Sequence, residues 1–222
     1  HSKDLSIIRK SILNSIQNTD SGHLGPSFSC TEILYIILKK YINFKNKNRN
    51  KIILSKGHAA PAIYAIYNHL KLLKKDELNT LRKFTSRLQG HPDKKKLKLL
   101  DFGTGALGQG LSVSIGYSLA SKLLNKKNFV FCIMGDGELQ EGQVWEAAMY
   151  IGSNKIKNII TFIDGNKFQN EFSIEETLMA TIPESIILRI LEIPSPGRTV
   201  PYKAMSQIAN SFIALIFSFN KS

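Results

Sequence analysis

Asp136 stands between Gly135 and Gly137, directly after the apolar run 129–134, and Asn166 stands just beyond a second apolar run, 159–163. A carboxylate and a neutral amide oxygen are donors that a hard divalent cation such as Mg2+ takes, with phosphate oxygens and water completing its shell. The flanking glycines let the backbone come close to a diphosphate and turn N–H groups toward it. Each piece alone also has an ordinary reading, a tight turn for Gly-Asp-Gly and a loop residue for the Asn. Their spacing, 166 − 136 = 30 residues, is about one strand-helix-strand crossover, and that makes the combination informative.

A crossover of this kind makes its two strands parallel, so both C-terminal ends meet at one sheet edge, where open α/β folds hold ligands. The connecting helix is predicted over 144–151. Further elements follow from apolar spacing: an amphipathic helix over 5–16, a short strand over 52–54 and helices over 59–70 and 107–124. Ser29 with Glu32 has the form of a capping box and places a helix start just ahead of Ile33. Gly110, Gly116 and Ala120 suggest that the 107–124 helix packs closely on its neighbours. The expected class is α/β, a mainly parallel sheet with helices on both faces. No repeat and no Pro- or Gly-rich linker interrupts the chain before about residue 180.

The 222 residues carry a formal charge of +13, with 43% hydrophobic residues. The lysines are scattered and lack interleaved aromatics, so no nucleic-acid partner is expected. Lys94, Lys95, Lys96 and Lys98 read as a solvated loop, and the charge favours anionic small substrates. Cys30 and Cys132, in apolar or small-residue surroundings, read as buried free thiols in a reducing compartment, with the cytoplasm as the expected location. There is no leader-like start and no apolar stretch of the roughly 20 residues that a membrane helix needs. The apolar tail 208–219, broken by Asn210, Ser211 and Ser218, is expected to be a buried helix or strand, and no membrane partner is expected. The first residue is His1 rather than Met, so a fragment or a cloning remnant at the start is expected.

At Gly135-Asp136-Gly137 with Asn166 the chain resembles the thiamine-diphosphate enzymes. The stretch from Gly135 through Glu138, Leu139, Gln140 and Glu141 to Ala147 is similar to the version in transketolases, particularly their separately encoded N-terminal subunits. The resemblance continues through Ser21-Gly22-His23-Leu24-Gly25-Pro26, Leu54-Ser55-Lys56-Gly57-His58, Gln89-Gly90-His91-Pro92-Asp93 and Thr104-Gly105-Ala106-Leu107-Gly108. These motifs span roughly residues 5–178. Deoxyxylulose-phosphate synthase shares part of this pattern, but the wording around Leu139–Gly142 and Ser55–His58 favours transketolase.

The resemblance implies that Asp136, Asn166 and the backbone carbonyl of Phe168 bind Mg2+, or Ca2+ or Mn2+ in its place. It implies that Gly135, Asp136, Gly137, Asn166 and His58 meet the cofactor, that Gly105, Ala106 and Leu107 line its rings, and that His23, His58 and His91 are the catalytic histidines. Glu141 matches a glutamate at the interface between subunits, whereas His69, within a helical pattern, is expected to be a packing residue. The implied activity moves a two-carbon ketol unit from a ketose phosphate to an aldose phosphate. In the family the site lies between two domains. Residues 1–178 correspond to the diphosphate-binding one, and 179–222 read as a divergent segment in which 186–193 could form a strand. A pyrimidine-binding C-terminal subunit or missing domain is therefore the implied partner, within a homodimer or heterotetramer. A non-catalytic remnant is the remaining alternative.

Overall fold

The computed structural model describes residues 2–166 and the backbone of three further short strands, and within it the three apolar runs form a parallel sheet. The parallel strands are β1 (Lys51–Leu54), β2 (Val130–Gly135) and β3 (Ile159–Asp164), in that spatial order. Every residue of β2 and β3 is buried, the pattern of strands covered on both faces. The short strands are β4 (Phe168–Gln169) and β5 (Phe172–Ser173), paired with each other, and β6 (Phe212–Leu215). Strand β6 adds to β3 antiparallel, from Thr161↔Leu215 to Asp164↔Phe212, and is the described part of the apolar tail. The suggested strand at 186–193 lies outside the described residues.

Alternate side chains of the strands feed two separate cores. Ile52, Leu54, Phe131, Ile133, Ile160 and Phe162 meet helices α1 (Ser2–Gln17), α3 (Thr31–Ile36) and α4 (Ala60–His69) on one face. Ile53, Val130, Cys132, Met134, Ile159 and Ile163 meet α5 (Gln109–Leu123) and α6 (Gly142–Ser153) on the other. The period-two alternation of a strand is what lets continuous apolar runs serve both layers. The α/β arrangement with helices on both faces is thus present. His69 is a packing residue, with Nε2 3.3 Å from Asp4 Oδ1 and its ring edge-on to Tyr35. Both cysteines are buried free thiols, and burial pushes Cys30 up to about 12.

Two local expectations are corrected. A helix, α3, does start just ahead of Ile33, but the Ser29–Glu32 pair does not cap it: Ser29 is the last residue of α2 (Leu24–Ser29), and the N-cap of α3 is Cys30, without a side-chain cap. The Ser29 hydroxyl donates instead to Asp164 Oδ2 at 2.5 Å, and Glu32 pairs with Arg9 of α1. A bond to a buried carboxylate is stronger than an ordinary capping bond, so tertiary structure wins. The second correction concerns α5. Close packing holds at Gly110, where an added Cβ would sit 2.4 Å from Ser55 Cβ, but Gly116 has open space around it.

That contrast gives a test. Gly110→Ala should destabilise the fold by about 2 kcal/mol through overpacking. Gly116→Ala, on the exposed side of the same helix, should stabilise it by about 0.5–1 kcal/mol. Urea-unfolding midpoints of the two variants should move in opposite directions.

Candidate cofactor and metal site

The three parallel strands end at one edge, and each runs on into a loop that carries predicted site residues. β1 continues into Ser55, Lys56, Gly57 and His58, β2 into Asp136 and Gly137, and β3 into Gly165 and Asn166. Because Gly135 pairs with Asp164 in the register, Asp136 and Asn166 leave neighbouring strands near the same level. A cleft of about 720 Å³ opens there. Its walls include His23, His58 and His91, Gly105 and Leu107, and the group Gly135, Asp136, Gly137 and Asn166.

Of the other three predicted residues, two lie outside the cleft lining. Ala106 is exposed and absent from the cleft lining, because its neighbours Gly105 and Leu107 take the inward positions. Glu141 is half-buried just ahead of α6, also outside the lining. Phe168 begins β4, and of this residue only the backbone is described.

Neighbouring helices hold the loops in place. Tyr64 of α4 donates to the Gln89 carbonyl at 3.1 Å, which secures the loop bearing His91. The His91 ring lies against Gly105, where a Cβ would come 3.6 Å from His91 Cγ. Gln143 of α6 donates to the Leu107 carbonyl at 2.9 Å. Gly108 then turns the chain into α5 with φ +77°, a left-handed conformation that side chains rarely adopt.

A buried carboxylate and a buried ion pair that have no obvious role in the sequence organise the floor. Glu138, 1% exposed, accepts from Ser55 Oγ at 2.5 Å and from the backbone N–H groups of Gly108 and Gly135, each at 2.8 Å. One carboxylate therefore joins the ends of β1 and β2 to the 105–108 loop. Burial raises its pKa, against the three donors, which favour the ionised form. Lys56, 1% exposed, reaches Asp164 Oδ2 at 2.5 Å, so a cation from the β1 loop meets a carboxylate at the end of β3. Asp164 Oδ1 accepts no hydrogen bond among the described residues. The available signal was positional: Asp164 directly follows the apolar run 159–163, and Lys56 follows the run 52–54 after Ser55, where a charge needs a partner.

The histidines sit in a basic surrounding. His23 and His58 meet edge-on with ring centroids 5.7 Å apart. Burial, then Lys56 and the other two histidines, lowers His58 from 6.5 to about 4. His91 is lowered too, by burial and then by Arg82 and His23. At neutral pH the His58 ring is neutral and can both donate and accept hydrogen bonds.

The chemistry of the donor set suits a metal and a diphosphate together. Asp136 and Asn166 offer hard oxygen atoms on the cleft wall. This matches an ion such as Mg2+, which is held by one or two protein oxygens and completes its shell from phosphate and water. Lys56 and the glycine backbone on the cleft wall suit the phosphates.

A family model described as the thiamine diphosphate binding domain of transketolase matches residues 1–187. The 6-deoxy-6-sulfo-D-fructose transketolase subunit SqwG of Clostridium sp. (strain MSTE9) is 36% identical over 169 residues, covering 74% of this chain and 62% of that protein. Human transketolase is 38% identical over 164 residues, covering 70% of this chain and 26% of that protein. Among solved structures, a transketolase mutant from Pichia stipitis superposes with a TM-score of 0.73 at 28% identity, covering 81% of this chain and 29% of that one. Transketolase from Leishmania mexicana gives 0.75 at 23% identity, a likeness of fold, covering 82% and 30%. The chain thus spans less than two thirds of the length of these relatives.

Two outcomes test the site's construction. Glu138→Ala strands two buried N–H groups and a hydroxyl, and should cost about 3 kcal/mol in urea unfolding. For His58, the folded pKa of about 4 lies below 6.5, so between those values the unfolded chain binds more protons. Stability should therefore fall as pH drops from about 6.5 to about 4, and His58→Asn should flatten that slope. Urea midpoints against pH, with NMR titration of the histidine rings, check both parts.

Proposed function

This chain belongs to the transketolase family through its thiamine diphosphate binding domain, and on that premise we propose that it is the metal- and diphosphate-binding half of a ketol-transferring enzyme. The observation that carries the reading is the convergence of Asp136, Asn166 and three histidines on one cleft at the ends of parallel strands. In this reading Asp136 and Asn166 hold Mg2+, with the Phe168 carbonyl as third ligand, and Gly135, Gly137 and Asn166 approach the diphosphate. Gly105 and Leu107 flank the rings, and Ala106 supports that loop from outside. When bound, thiamine diphosphate supplies the carbanion chemistry that breaks and remakes a carbon–carbon bond.

The chain's own residues then have defined tasks. His58, neutral at working pH, accepts or donates a proton at a sugar hydroxyl, and His23 and His91 orient neighbouring hydroxyls from two sides of the cleft. Lys56 is held against Asp164 and adds positive potential for an anionic substrate. That substrate is proposed to be a ketose phosphate or a similarly anionic ketose, and the acceptor an aldose phosphate. Relatives named for 6-deoxy-6-sulfo-D-fructose and for apulose-4-phosphate support the anionic class without selecting one sugar or the pentose phosphate pathway.

The second half of the site is proposed to come from a pyrimidine-binding C-terminal subunit or domain. SqwG and the apulose-4-phosphate transketolase relative from Actinobacillus succinogenes are both named as transketolase subunits, which supports this split arrangement. Glu141 is proposed to face that partner within a homodimer or heterotetramer. The diphosphate-binding domain is placed at about 1–178 and the location in the cytoplasm. No helix among the described residues is long and apolar enough to cross a membrane.

Calorimetry with thiamine diphosphate and Mg2+ tests the metal assignment. Asp136→Ala should weaken Mg2+-dependent cofactor binding by about 100-fold or more, since it removes the only carboxylate in the proposed ligand set. Equal heats for the two proteins would overturn it. Ketol transfer between sugar phosphates should appear only after a complementary pyrimidine-binding subunit is added.

A further inference from the structure

A second cleft, of about 650 Å³, lies at the other end of the sheet, where β2 and β3 begin. It is bordered by five exposed lysines: Lys122 in the last turn of α5, Lys126 and Lys127 in the turn to β2, and Lys155 and Lys157 in the turn from α6 to β3. No acidic residue lines it, and residues 118–129 and 152–158 contain no Asp or Glu. None of the five lysines forms an ion pair among the described residues.

The ordinary explanation is that lysines complement the helix C-termini from which these turns start. Two helix ends contribute only about half a negative charge each, whereas five ammonium groups surround the cleft, so a strong positive excess remains. Two further observations point to a ligand rather than to a solvated rim. The cleft has an apolar floor, formed by Leu119, Phe129 and Ile156. Asn128, which also lines it, is only 6% exposed, and its Oδ1 has no hydrogen-bond partner among the described residues. A buried acceptor of this kind needs a donor.

We propose that this cleft binds a nucleoside polyphosphate. The phosphates meet the lysines, the flat base lies on the apolar floor, and an N–H or hydroxyl of the nucleoside donates to Asn128 Oδ1. Inorganic polyphosphate would satisfy the lysines but neither the floor nor the amide. The site is separate from the cofactor cleft and does not depend on the function proposed for that cleft.

Titration calorimetry of the whole chain in metal-free buffer, with adenosine triphosphate and with tripolyphosphate, tests the proposal. The nucleotide should bind about tenfold or more tightly than tripolyphosphate, and its affinity should fall as salt rises. The triple variant Lys122→Gln, Lys126→Gln, Lys127→Gln should weaken it about tenfold or more, as should the double variant Lys155→Gln, Lys157→Gln to a smaller degree. Asp136→Ala should leave it unchanged. The proposal fails if folded lysine variants, verified by circular dichroism, bind as the wild type does, or if tripolyphosphate binds as tightly as the nucleotide. Loss of binding in Asp136→Ala would assign the nucleotide to the cofactor cleft and overturn it equally.

Discussion

The Glu138 carboxylate is the constraint on which the site's geometry rests. It is buried, yet it collects a hydroxyl from the end of β1 and N–H groups from the 105–108 loop and the end of β2. Taking a carboxylate out of water is costly, and three short donors in fixed positions offset that cost only if the loops keep their places. The turn that bears Asp136 and the 105–108 loop are thereby locked to each other, although 30 residues separate Gly108 from Glu138.

A buried charge pair adds a second link. Lys56 and Asp164 connect the β1 loop to the end of β3, across the position of β2 between those strands. Ser29 joins them from α2, so the helix that follows His23 is anchored to the same carboxylate. The pair leaves Lys56 on the cleft wall, and its positive field helps to keep His58 neutral. Lys56 thus contributes to rigid positioning and, after burial, to the neutrality of His58.

Much of this was readable in the chain. The two continuous apolar runs and their 30-residue offset implied a parallel crossover, and the parallel register then placed Asp136 beside Asn166. The helices at both faces followed from spacing. Less legible were features decided by atoms distant in sequence. Ser29 had two uses, a helix cap or a buried carboxylate 135 residues away, and local pattern favours the first. Gly110 and Gly116 look alike in the sequence, but only Gly110 faces Ser55.

By itself, then, the sequence determined which residue types could do chemistry and on which strands' ends they lie, because periodicity and turn chemistry are local properties. It also determined family membership, through the motif series that ends in Gly135-Asp136-Gly137 and Asn166. Tertiary structure alone decided that Gly105 and Leu107, not Ala106, enter the cleft, and that Glu138 and Lys56 are buried with partners. Burial and pairing depend on what packs across the sheet, and no local pattern carries that information.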